Sequence, residues 1–98
     1  MSTIKKTDAE SVRRTILTAA IQEYGEGAQL LKAIEELSEL IRALTRYDRD
    51  NIAEEMADVR IMLDQLTLIF RNDREVHEWE LKKLKRLDSH LHAADTVG

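Results

Sequence analysis

Two acidic clusters in this chain have the residue types and the spacing to hold a cation: Glu35-Glu36-Leu37-Ser38-Glu39 and Glu54-Glu55-Met56-Ala57-Asp58. Each sets two carboxylates three residues apart, Glu36 with Glu39 and Glu55 with Asp58. Residues three apart on a helix point the same way, one above the other. Each cluster is therefore a pair of oxygen donors, and two such pairs brought face to face repel unless a positive charge lies between them. Four carboxylates without His or Cys make a hard, all-oxygen set, which suits Mg²⁺ or Mn²⁺. A di-iron bundle would need Glu-x-x-His on two helices, and positions 39 and 58 are Glu and Asp instead. The histidines, His77, His90 and His92, lie elsewhere and read as solvated surface residues.

Mg²⁺ held by carboxylates commonly also holds substrate phosphates and water. The chemistry this suggests is metal-assisted attack of water on phosphorus, with a spare carboxylate as base. The chain has no Gly-x-x-x-x-Gly-Lys-Ser/Thr loop, which excludes that way of cradling phosphates. Gly25-Glu26-Gly27 reads as a helix break rather than a phosphate loop.

The elements that must position these groups are helices. The 98 residues contain no proline, three glycines, 43% hydrophobic residues and only 4% aromatics. A core of Leu, Ile, Val, Ala and Met suits packed helices, so the expected fold is all-α, a helical bundle of about four helices in a single domain spanning 1–98. Residues 1–6 and 93–98 are expected to be flexible ends. Thr7-Asp8-Ala9-Glu10 reads as a capping box opening the first helix, with Val12, Ile16, Ala20 and Tyr24 at four-residue steps. Gly25 and Gly27 punctuate its end. The second helix, from about Ala28 to Arg46, carries the stripe Leu30, Ile34, Leu37, Ile41 and Leu44. Asp48, Asp50 and Asn51 mark a short connection, with Asn51 and Glu54 as a cap pair. The third helix carries Ile52, Met56, Val59, Leu63, Leu66 and Phe70, and Asn72-Asp73-Arg74-Glu75 restarts the chain into a fourth with Leu81, Leu84, Leu87 and Leu91.

The third helix is also apolar on its opposite side, at Ala57, Ile61 and Leu68, and a helix apolar on two sides is buried on two sides. Three short neighbours can hardly wrap it, which predicts a homodimer or larger assembly. Glu55 and Asp58 fall on the shoulder of its main stripe, where charge is costly unless paired or bound to metal. Glu36 and Glu39 lie on the polar side of the second helix, beside Lys32. An ordinary solvated face with a Lys32–Glu36 pair accounts for them, unless an oligomer turns that side toward a cleft.

The formal net charge of −4 does not favour a nucleic-acid partner. Without cysteine there are no disulfides, thiolate metal sites or thiol catalysis. The opening Met1-Ser2-Thr3-Ile4-Lys5-Lys6 lacks the apolar stretch of a signal peptide, and no run approaches a membrane span, so a cytoplasmic protein is expected.

Glu35-Glu36-x-x-Glu39 followed by Glu55-x-x-Asp58, with Gln29-Leu30 before the first cluster and Val59 closing the second, resembles the signature of the MazG-like, all-α nucleoside triphosphate pyrophosphohydrolases. The resemblance spans roughly Ile21 to Leu91. It implies an oligomeric helical fold, a dimer or tetramer with the site near subunit contacts. It also implies Mg²⁺-dependent cleavage of a (d)NTP between its α and β phosphates, giving a (d)NMP and pyrophosphate. Carried over by position, Glu36, Glu39, Glu55 and Asp58 are the implied metal ligands, and Glu35 a water-orienting base alongside Glu36. Many members place a Lys and an Asn on the last helix near the phosphates; here Lys82, Lys83 and Arg86 are present, without an Asn. Lys32, Lys83 and Arg86 are thus the candidate phosphate contacts. Trp79 is the candidate base-stacking residue by its size, among Tyr24, Tyr47 and Phe70. Arg13 and Arg14 are further cations that could attract a polyphosphate. Two readings stay open: a Mg²⁺-dependent pyrophosphohydrolase, or a non-catalytic helical interaction or nucleotide-binding protein of the same fold.

Overall fold

The computed structural model describes residues 6–97, and the side chains of 8–93 within them. Its four helices are α1 (Lys6–Tyr24), α2 (Glu26–Arg46), α3 (Arg49–Phe70) and α4 (Asp73–Val97), with no strand among the described residues. The expected all-α class and four helices are therefore what the chain adopts. The ends expected to be flexible fall partly outside the described residues, at 1–5 and 98, while α4 continues as helix to Val97.

Local chemistry explains each break. Gly25 adopts φ 89, a conformation costly for any residue with a Cβ, and it separates α1 from α2 with a single residue. Its N–H donates to the Ile21 carbonyl at 2.8 Å, and its own carbonyl accepts from the Gln29 N–H at 3.1 Å. Gly27 sits inside the first turn of α2 rather than ending α1. At the far end, Tyr47 takes the left-handed conformation, φ 53, and the Asp48 N–H closes back on the Ala43 carbonyl at 3.3 Å. Asp48 then caps α3, its Oδ1 accepting from the Asn51 N–H at 3.4 Å. This replaces the expected Asn51–Glu54 pair, because α3 begins at Arg49 and puts the Asn51 N–H among the free donors that a preceding aspartate reaches. Arg71, at φ 52, ends α3 in the same left-handed way.

The two-residue link at Tyr47-Asp48 folds α2 back against α3, and this antiparallel pair is the main packing of the chain. α1 lies against both, anchored to α3 by an Arg13 Nε–Asp64 Oδ2 ion pair at 2.8 Å. α4 packs against none of the other three to a comparable extent. The expected four-helix bundle is thus a three-helix body with a fourth helix standing away from it.

The buried apolar residues are few: Leu17, Ala33, Ala43, Val59 and Met62. This corrects the expected stripes. On α2, Ile34 (60% exposed), Ile41 (66%) and Leu44 (54%) face away from the body. Gln29, Ala33, Glu36 and Ala43 face inward instead. On α1 the buried residue is Leu17, whereas Val12, Ile16 and Tyr24 are exposed. On α3 the inward residues are Val59, Met62 and Gln65, and Met56, Leu63 and Phe70 look outward. The apolar side chains of α4, from Val76 and Trp79 to Leu91, are exposed as well. The radius of gyration is 17.4 Å, against about 13 Å for a compact domain of this length. The accessible surface is 8539 Å², where a folded monomer of this mass exposes about 5,700 Å².

The two inner glycines give opposite expected outcomes. Neither has a heavy atom within 4 Å of where a Cβ would stand, so only backbone conformation decides. Gly25→Ala should destabilise by about 1–3 kcal/mol, because φ 89 with ψ 152 lies in a region essentially confined to glycine. Gly27→Ala, in a helical turn, should stabilise by roughly 0.5–1 kcal/mol. Denaturant titration of both variants reads the difference.

Candidate metal centre

The inward residues of α2 run Gln29, Ala33, Glu36, Leu40 and Ala43, in steps of four and three, a second helical stripe beside the more apolar one. Ala33 and Ala43 have little bulk, so α3 can approach closely, and Glu36 between them is carried into the seam at 9% exposure. Across the seam, α3 presents Glu55, Asp58, Met62 and Gln65 on its facing side, which 3.6 residues per turn lines up. The polar side of α2 is thus not a solvated face in this protomer. Its expected Lys32–Glu36 pair does form, Nζ to Oε1 at 3.1 Å, at the edge of the seam.

Glu36, Glu55 and Asp58 each offer a carboxylate oxygen, and these three atoms lie within 4.8 Å of one another. Two oxygens on opposite sides of a small cation with bonds near 2.1 Å would stand about 4.2 Å apart. The three oxygens thus converge to within a few tenths of an ångström of the span of one coordination shell. Glu55 Oε2 is the sharper sign: it is buried and has no hydrogen-bond partner. A buried acceptor left unpaired costs free energy that a bound cation would recover. By donor chemistry and by this orphaned oxygen, the residues fit a divalent metal ion.

The electrostatics agree. Burial pushes the Glu55 carboxyl above its ordinary 4.5, reinforced by the nearby carboxylates of Glu36, Asp58 and Glu39. Burial likewise raises Asp58 above 3.8, helped by the charge of Glu36 and a hydrogen bond with it, and by Glu54, while Lys32 pulls it back. Lys32 is held charged, its pKa raised above 10.5 by the hydrogen bond to Glu36 and by Glu35. Three acids crowd one seam, and a single nearby ammonium balances only part of their charge.

The remaining candidates are placed as follows. Glu39 stands outside the group of three, with Oε1 3.5 Å from Arg42 Nη2, although its charge still reaches Glu55. Glu35 is exposed and acts on Lys32. Trp79 is on α4, exposed, with Lys82 Nζ at 5.0 Å and Lys83 Nζ at 5.8 Å from its ring centroid. Arg86 lies further along the same exposed helix. None of these α4 groups is brought to the acid group within the protomer, since α4 does not pack on α2.

A cavity of about 570 Å³ opens beside the acids, sharing Lys32, Glu36 and Asp58 with them. It also contains a buried amide pair, Gln29 Nε2 donating to Gln65 Oε1 at 2.6 Å. Gln29 figures in the sequence only as motif text before the first cluster, with no role attached, and Gln65 does not stand out at all. The signal available was the second 4-3-4-3 series on α2, which is legible only if its alanines are read as core.

The model of the MazG nucleotide pyrophosphohydrolase domain matches residues 25–91 of the chain. That span takes in α2, α3 and most of α4, with all three clustered acids. Comparisons with curated proteins and with solved structures returned no match.

The raised carboxyls fix a sign. A group whose folded pKa lies above its unfolded value contributes stability at low pH that is lost as pH rises. Metal-free protein should therefore lose thermal stability as pH climbs above the ordinary values, 3.8 for Asp58 and 4.5 for Glu55. Asp58→Asn should raise the melting temperature of metal-free protein at pH 7. It should also abolish the rise that Mg²⁺ gives wild type, about 2.7 kcal/mol of linkage at one hundred times the dissociation constant. Melting curves in chelator and in Mg²⁺, from pH 4 to 8, check both.

Proposed function

Because the chain belongs to the MazG nucleotide pyrophosphohydrolase family, we propose that it is a Mg²⁺-dependent hydrolase. Its reaction is cleavage of a (d)NTP to a (d)NMP and pyrophosphate. The observation that carries this reading is the orphaned, buried Glu55 Oε2 within a group of three converging carboxylates. Mg²⁺ suits the all-oxygen donors, with Mn²⁺ as the substitute; when bound, the ion neutralises phosphate charge and lowers the pKa of water.

The chain's own residues have distinct tasks in this proposal. Glu36, Glu55 and Asp58 hold the ion, and Glu39 joins them by leaving Arg42, a contact of 3.5 Å that is weak enough to exchange. Lys32, kept charged by Glu36 and Glu35, stands in the adjoining cavity and pairs with a phosphate oxygen. Glu35 and Glu36 are the candidates for orienting the attacking water and taking its proton. Lys83, Arg86 and Trp79 are assigned to substrate contacts made across a subunit boundary, since α4 does not reach the acids of its own protomer.

The proposed assembly is a homodimer or homotetramer. The outward stripe of α2, the outer residues of α3 and the apolar side of α4 are exposed together. Surface in excess of a monomer's expectation amounts to about 2,800 Å², comparable with what a subunit buries in an extensive obligate interface.

Two outcomes are expected. Pyrophosphate release from at least one (d)NTP should require Mg²⁺ or Mn²⁺ and should fall by about 100-fold or more in Asp58→Ala. A full nucleotide panel without turnover would sink the enzymatic reading and leave nucleotide binding by the same fold. Sedimentation should give at least twice 11.3 kDa, shifting toward the monomer in Ile41→Glu; a monomeric wild type would rule the assembly out.

A further inference from the structure

The amide pair next to the acids has a chemistry that metal binding does not use. Gln29 and Gln65 are 8% and 4% exposed, and each has one hydrogen bond, the 2.6 Å contact they share. A primary amide offers two donors and an accepting oxygen. In this orientation the pair leaves Gln29 Oε1 as an acceptor and Gln65 Nε2 as a donor, without protein partners among the described residues. Neither atom is among the sealed, unpaired ones, and both glutamines line the cavity. That cavity also has an aromatic ring, Tyr24, and the apolar side chains of Ile61 and Met62. Its volume, about 570 Å³, is in the range of small-molecule sites. One enclosure therefore combines a carboxylate group with a lysine at one part and an amide pair with an aromatic ring at another.

We infer that this cavity receives the nucleobase of the substrate, and that Gln29 and Gln65 read its hydrogen-bonding edge as a coupled unit. The inference rests on the pyrophosphohydrolase reading and adds to it the residues that meet the base. Every common base presents one donor beside one acceptor on its pairing edge, in one order for adenine and cytosine and in the other for guanine and for uracil or thymine. Rotating both amides together reverses which glutamine donates to the other, and so exchanges the free acceptor and the free donor. The pair can satisfy either order at the cost of a side-chain rotation. A site built this way distinguishes a nucleotide from a bare polyphosphate but discriminates weakly among bases. Tyr24, exposed at the cavity and on the last residue of α1, supplies a face for the ring.

The test is calorimetric binding in Mg²⁺ of the four α,β-imido deoxynucleoside triphosphates, which resist cleavage at the expected bond, with inorganic tripolyphosphate as the probe lacking a base. Wild type should bind all four analogues within about tenfold of one another. Gln65→Met, close in volume, should weaken all four by about tenfold, the worth of one or two hydrogen bonds, and leave tripolyphosphate unchanged. The double variant Gln29→Met/Gln65→Met removes both partners at once and leaves no orphaned amide, so its fold is retained; it should show the same selective loss. Equal weakening of tripolyphosphate, or no weakening of any nucleotide, overturns the assignment of the glutamines. Tight binding of a single base overturns their coupled rotation. Because the readout is binding, intact base-dependent affinity without turnover would sink only the hydrolase reading.

Discussion

Like-charge crowding at one helix seam organises this molecule. Glu36, Glu55 and Asp58 are held together between α2 and α3 by packing that is otherwise thin, two alanines facing Val59 and Met62. Such a seam stabilises the protomer poorly, since buried acids cost desolvation and mutual repulsion. The chain's larger apolar side chains are spent elsewhere, on the outer faces of α2 and α3 and along α4. The polar site and the exposed apolar surface are thus two sides of one arrangement. Turning the acids of α2 inward necessarily turns Ile34 and Ile41 outward.

That inversion marks where the sequence was legible and where it was not. The helices, their order and their breaks could be read from period and punctuation, with boundaries shifted by two or three residues where Gly27 was absorbed and Asp48 took the cap. The faces could not. A 3.6-residue pattern identifies an apolar stripe but says nothing about whether it turns toward its own chain or away from it. Leu30 to Leu44 reads as core by every local rule, yet the stripe beside it, poorer in bulk, is what α3 meets. Glu36 accordingly looks like solvated surface in the sequence, and only its spacing from Glu39 and its kinship with the Glu55–Asp58 pair mark it out.

The candidate site was legible at the level of residue type and separation. Two acidic pairs on successive helices brought three carboxylates to one place, and the all-oxygen chemistry followed from the lack of His in either cluster and of Cys anywhere in the chain. The ion pair of Glu39 with Arg42 was not foreseeable, because i,i+3 neighbours compete locally with a partner across the seam. Gln29 was visible only as text beside the first cluster, without a role, and Gln65 not at all, for a different reason. An amide carries no charge and no strong propensity, so only its burial reveals it.

The link at Tyr47-Asp48 has a kinetic consequence. It makes α2 and α3 neighbours in sequence as well as in space, and contacts of short sequence separation form early because little loop entropy is lost in closing them. The acids therefore meet in the unit placed to fold first, before α1 docks and before any second subunit arrives. Their repulsion burdens the folding barrier as well as the final balance. A cation that reaches the hairpin during folding would act on the rate at which the chain becomes native, not solely on how long it stays so.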